Sequence, residues 1–200
     1  MKPIFFITIA LLITTSSFAQ LEKGTWLVGG SGSFYTNDRT NTTPTNFIKY
    51  KDVNLDLSAS IGYFLKDKLS IGLRPDMTWE KSHWTQASPG ISGAIGHGFR
   101  YKIGPFARYY FLSNERQFNL LSDICYQFGT NFVTGGDKGK YKSFSLMSGM
   151  EVFFNSTAGL EILLGYAHNL VTIDNSPSDQ INTRNGFQIS VGFQLHLIKD

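Results

Sequence analysis

From Lys51 to Leu65 apolar and polar side chains alternate almost without a break. Val53, Leu55, Leu57, Ala59, Ile61, Tyr63 and Leu65 form one set, and Asn54, Asp56, Ser58, Ser60, Gly62 and Phe64 form the other, with Phe64 as its single departure. A period of two is the spacing of an extended strand whose faces meet different surroundings. After Lys66-Asp67-Lys68 the pattern resumes, with Leu69, Ile71, Leu73, Pro75, Met77 and Trp79 set against Ser70, Gly72, Arg74, Asp76 and Thr78. The two runs predict a hairpin with a tight turn. The closing stretch alternates in the same way: Phe187, Ile189, Val191, Phe193, Leu195 and Leu197 are interleaved with Gln188, Ser190, Gly192, Gln194 and His196.

The same period predicts eight strands: Thr25 to Tyr35, Lys51 to Leu65, Leu69 to Trp79, His97 to Phe111, Phe118 to Thr130, Tyr141 to Phe154, Ala158 to His168 and Arg184 to Leu197. No helical pattern competes, so the fold class is all-β. Long polar links (36–50, 80–96, 131–140 and 169–183) alternate with short ones (66–68, 112–117 and 155–157). Strict interleaving predicts an antiparallel up-and-down barrel, with the long loops at one end and the short turns and both termini at the other. Pro44, Pro89 and Pro177 fall in long links, where no ladder donor is needed.

Charge decides which face is inside. Asp56, Arg74, Asp76, Glu80, Arg100, Lys102, Arg108, Asp123, Glu151 and Glu161 all lie on the polar face, while the apolar face carries essentially no charge. Gly and Ser predominate between those charges, as the crowded lumen of a narrow barrel requires. The strands run to about 11 to 15 residues, beyond the ~5 to 6 usual in soluble sheets and enough for the ~9 to 11 that cross a bilayer. Aromatic residues gather near strand ends: Trp26, Phe34, Tyr35, Tyr63, Trp79, Phe99, Phe111, Phe118, Phe154 and Tyr166. A span made of strands must close, because an open edge leaves amides unpaired in hydrocarbon. The sequence thus predicts an eight-stranded antiparallel transmembrane β-barrel with lipid outside. Its buried charges, Arg74, Arg100, Lys102 and Arg108 facing Asp56, Asp76, Asp123, Glu151 and Glu161, are expected to pair with one another and fill the lumen.

Composition narrows the class further. Of 200 residues, 42% are hydrophobic and 14% aromatic, which excludes a disordered chain. The 18 basic and 15 acidic residues leave a net charge of +3, no field for nucleic acid. The single cysteine, Cys125, permits no intrachain disulfide. Residues 1–19 read as a signal peptide, with Lys2, an apolar run from Ile4 to Ile13, and Ser17-Phe18-Ala19 before a cut after Ala19. That leaves 20–200 as a single barrel domain, with no later apolar run long enough for a helical span.

With its leader, eight amphipathic strands and interleaved loops, the chain resembles the small bacterial outer-membrane β-barrels of the OmpA/OmpX-type, porin-like family. Its last strand is similar to the assembly signal of such proteins, here Ser190, Gly192, Leu195 and Leu197, although the chain runs on through Ile198-Lys199-Asp200 where members often end on an aromatic residue. The resemblance implies export to the outer membrane, contact with its lipid and with the barrel-assembly machinery, a monomer, and neither cofactor nor catalysis. It also implies an envelope-structural role, or a surface interaction with an unknown extracellular partner through four long loops.

Three other classes have footholds. Gly24-Thr25-Trp26 resembles the Gly-x-Trp of lipocalins, soluble barrels that bind small molecules, but these usually add a helix after the last strand and often disulfides. Lipid A deacylases, acyltransferases and omptin-type proteases are barrels with rim histidines, which would make Ser82-His83 and His168 the candidates. The four histidines, His83, His97, His168 and His196, lack metal-ligand spacing. The third class is a narrow channel, since eight strands leave room for side chains but not for a wide pore.

Overall fold

The computed structural model describes residues 21–42, 46–90, 96–133, 138–173 and 180–198. The expected leader, Pro44 and Pro177 lie outside them. Eight strands form one closed antiparallel barrel in sequence order: β1 (Trp26–Thr42), β2 (Phe47–Lys66), β3 (Leu69–Ala87), β4 (Gly96–Tyr110), β5 (Phe118–Val133), β6 (Gly139–Phe153), β7 (Ala158–Ile173) and β8 (Gln180–Leu197). From Gly192 the lateral ladder passes through Ser31, Ser58, Asp76, Lys102, Gly129, Tyr141 and Val171 to Asn182, so a full circuit ends ten residues away, 192 to 182, on the same strand. This stagger tilts the strands and fixes a narrow bore.

The strands are longer than the alternation predicts, chiefly at the end away from the short turns. β1 and β2 stay paired from Trp26↔Tyr63 up to Thr42↔Phe47, across most of the stretch expected to be loop. β3 likewise runs on to Ala87, and β7 and β8 remain paired to Ile173↔Gln180. Much of the four expected long links is therefore paired strand. Beyond the apolar belt both faces of a strand are polar, so the period-two signal vanishes while the backbone ladder continues.

Alternation places the faces as expected. Leu55, Leu57, Ile61, Leu73, Met77, Ile103, Ile124, Phe128, Leu146, Ile162, Leu164, Ile189 and Val191 point outward and are exposed. Aromatic pairs bound this belt. Near the short turns Trp26 meets Tyr63 at 5.1 Å and Tyr109 meets Phe111 at 5.2 Å between ring centroids; higher up, Trp79 meets Phe99 at 5.5 Å and Tyr166 meets Phe187 at 5.9 Å. Along β4 the two levels, Phe99 and Tyr109, are ten residues apart, a height of about 25 Å once a tilt of ~40° is allowed for.

Two prolines sit inside this wall. Pro75 and Pro105 pair with Ile103 and Leu73 across β3 and β4, but on their other sides the ladder is interrupted, between Ser58↔Asp76 and Ile61↔Leu73 and between Ile103↔Phe128 and Phe106↔Cys125. Proline has no N–H to donate there.

A small core closes the short-turn end. Leu21, Leu27, Phe64, Phe106, Tyr110, Leu121 and Phe153 point inward and are buried. The segment before β1 is tied beneath it: the Lys68 amide donates to the Leu21 carbonyl at 2.7 Å, and the Gly24 amide to that of Phe64 at 3.0 Å. Phe64, the one break in the polar set of β2, is thus part of the plug.

Candidate functional site in the lumen

Above that plug the lumen holds a continuous ionic network. Asp123 on β5 receives two guanidinium groups: Arg74 from β3 donates to both of its oxygens at 2.7 and 2.8 Å, and Arg108 from β4 donates Nε at 3.0 Å. Arg108 also reaches Glu161 on β7 at 2.7 Å. Gln194 donates to the second oxygen of Glu161 at 2.8 Å, and Arg74 Nε donates to Ser60 at 3.0 Å while its guanidinium lies 4.7 Å from the centre of the Phe106 ring. Six strands are cross-tied at one level.

Glu151 and Glu161 stand directly opposite each other on β6 and β7. Facing like charges are normally destabilising; here each turns to its own partners. Glu161 takes Arg108 and Gln194, whereas Glu151 accepts from the Tyr110 hydroxyl at 2.7 Å and lies 2.8 Å from His196 Nε2. The His196 ring is held among Phe64, Tyr110 and Phe153, with centroids at 5.9, 6.0 and 5.4 Å.

One level higher, Lys102 pairs with Asp76 at 3.1 Å, and Gln127 donates to Asp76 at 2.8 Å and to the Arg74 carbonyl at 3.0 Å. Arg100 rises beside them over the Tyr141 ring, at 4.8 Å. Above the network a cavity of about 370 Å³ opens, with Asp56, Asp76, Arg100, Lys102 and Tyr141 in its walls.

The nine charged residues expected to fill the lumen all face it. Arg74, Arg108, Asp123, Glu151 and Glu161 meet in the lower cluster, Asp76 and Lys102 pair above it, and Asp56 and Arg100 line the cavity instead of joining the cluster. Sequence reasoning missed the aromatic cage around His196 and a buried pair near the outer end, where Ser82 donates to Asp52 at 2.6 Å. A signal for the cage was present: Phe64, Phe106, Tyr110, Leu121 and Phe153 are apolar or aromatic residues on an otherwise polar face, each close to a short turn.

Of the closing-strand residues, Ser190 and Gly192 face the lumen side, and Leu195 and Leu197 the outside. Gly192 also has a packing role, since a Cβ there would lie 2.9 Å from Glu161 Oε1 and 3.0 Å from the Gly30 carbonyl.

The rim residues do not assemble into a catalytic set. Ser82 points inward to Asp52, whereas the adjacent His83 lies on the opposite face. His168 faces outward and shares a 2.6 Å hydrogen bond with Asn185. Among the described residues no group of three His, Cys, Asp or Glu side chains could hold a metal. Trp26, the tryptophan of Gly24-Thr25-Trp26, lies on the outer surface against Tyr63, and a charged interior is the reverse of an apolar ligand pocket.

Neither a protein-family pattern nor any curated protein matches the chain. Among solved structures it is similar to the outer membrane protein OprG from Pseudomonas aeruginosa, with a TM-score of 0.53 and 14% identity over 90% of this chain and 100% of that one. Neisserial surface protein A also matches, with a TM-score of 0.44 and 16% identity over 86% of this chain and 97% of that one. The likeness to OprG is one of fold: the chain shares with that outer membrane protein a small closed eight-stranded barrel.

Proposed function

We propose that the chain is an integral, non-enzymatic protein of a Gram-negative-type outer membrane, serving envelope structure or surface interaction through the projecting ends of its hairpins. The observation that carries this reading is the outward belt: an uncharged apolar band bounded above and below by aromatic side chains, around an interior that holds the charges. A soluble protein rarely exposes a contiguous apolar patch beyond a few hundred Å², whereas lipid requires one. The first described residues are fixed at the short-turn end, so a leader would depart from the side that faces the periplasm in such a barrel. The separation of Ser82 from His83 supports the non-enzymatic reading. Leu195 and Leu197, on the outer face of the closing strand, suit recognition by the assembly machinery.

The alternative of a narrow channel must pass Arg108, Asp123, Glu151, His196 and the aromatic core beneath them. Each is buried and bonded, and opening a path would strip charges of their partners. In planar bilayers the purified protein is expected to show no steady conductance. Sustained ohmic current at low voltage would transfer the function to the channel class.

A further inference from the structure

The barrel is closed unevenly. Seven of its strand pairs share between 11 and 17 partners each. At the closing seam β1 and β8 share six, Trp26↔Leu197 to Ser31↔Gly192. Both strands continue outward, β1 to Thr42 and β8 back to Gln180, and among the described residues they do not pair with each other there. Flanking outward residues are unusually bare, with Phe187 85%, Ile189 72% and Phe34 68% exposed. These are apolar, so the opening begins within the lipid-facing belt.

The opening joins two spaces. Gly30, Ser31, Gly32, Leu57, Ser58 and Val191 border both the lumen cavity and an outer groove of about 430 Å³, where Leu160 and Phe193 add apolar wall. Two of the shared residues, Gly30 and Gly32, bring no side chain to block the passage. Across the lumen from the seam, on β4, stand Arg100 and Lys102. Arg100 has no carboxylate partner among the described residues and its buried Nε donates to nothing, and Lys102, with three donors, uses one on Asp76. A polar cavity with Arg100 and Lys102 at its far wall, and Asp56 and Asp76 beside them, thus opens sideways onto an apolar groove.

We propose that this seam is a lateral port for a single-chain amphiphile with an anionic head. The head sits in the upper lumen on Arg100 and Lys102, and the tail leaves between β1 and β8 to lie along Leu57, Val191 and Phe193. This port rests on the membrane-barrel reading above.

The test uses the full protein in phosphatidylcholine nanodiscs, titrated with hexadecanoate labelled with ¹³C at the carboxyl. The native protein is expected to give a saturable carboxyl shift that empty discs do not. An Arg100→Gln/Lys102→Gln variant and a Gly32→Phe variant should each bind roughly tenfold or more weakly, and hexadecyltrimethylammonium should not bind above the empty-disc level. On the native protein, hexadecanoate carrying a mid-chain nitroxide should broaden the methyl signals of Leu57 and Val191 more than those of Leu73, which keeps the test independent of how the variants fold. Equal broadening, native-like binding by both folded variants, or no binding beyond empty discs would overturn the port alone. A protein that never enters the discs would overturn the membrane reading with it.

Discussion

Asp123 is the residue on which the lumen turns. It is fully buried and its two oxygens hold both Arg74 and Arg108. Removing its charge leaves two buried guanidinium groups sharing what remains, and uncompensated buried charge costs about 3 to 5 kcal/mol. Asp123→Asn is therefore expected to lower unfolding stability by that order in a urea titration of the refolded barrel. Asp67→Asn, an exposed turn residue that accepts from the Lys23 amide at 2.8 Å, should stay within about 0.5 kcal/mol. A stable Asp123→Asn barrel would mean the network is ornamental. Charge on a polar face was enough to find Asp123 from the sequence, since strand parity alone turns it inward. Its partners were not legible, because which arginine reaches which carboxylate depends on the stagger around the whole barrel. The same ignorance hid the neutralisation of the facing Glu151 and Glu161, which the sequence presents only as two like charges on neighbouring strands.

At the scale of the strand, alternation was read correctly wherever one face meets lipid and the other meets charge. It failed at the outer ends. Between Thr36 and Tyr50 neither face is apolar, so nothing in the sequence separates loop from ladder, yet the backbone hydrogen bonds of β1 and β2 continue nearly to the tip. The seam is a second blind spot, because closure between the first and last strands has no local signature. It has a direct consequence for exchange: every second amide of Phe187 to Val191 faces a gap instead of a partner. Hydrogen–deuterium exchange of the protein in micelles should show those amides exchanging much faster than their counterparts in Gln194 to Leu197, which are paired with β1. Uniform protection along β8 would show that the seam is zipped.

For the whole molecule, everything depends on which side of the wall meets lipid. Leu73 offers a local test. It lies mid-belt, 53% exposed, opposite Pro105. On a water-facing surface a change to lysine would be within about 0.5 kcal/mol, but at the middle of a bilayer it costs about 2 to 4 kcal/mol. Leu73→Lys should therefore destabilise the barrel in liposomes by that amount, and a neutral result would mean that this face is wet. The overall architecture was legible because an eight-stranded barrel is a repeated local pattern with a repeated turn rhythm. The plug was legible only as exceptions, since Phe64, Tyr110 and Phe153 look like errors in the alternation until the end of the barrel is seen to need a stopper. The most direct measurement is fractionation of cells producing the full chain, followed by gel electrophoresis of the outer-membrane fraction with and without heating. The protein is expected in that fraction, with a band that shifts on boiling as the folded barrel unfolds. A soluble periplasmic protein with a heat-insensitive band would contradict the membrane reading.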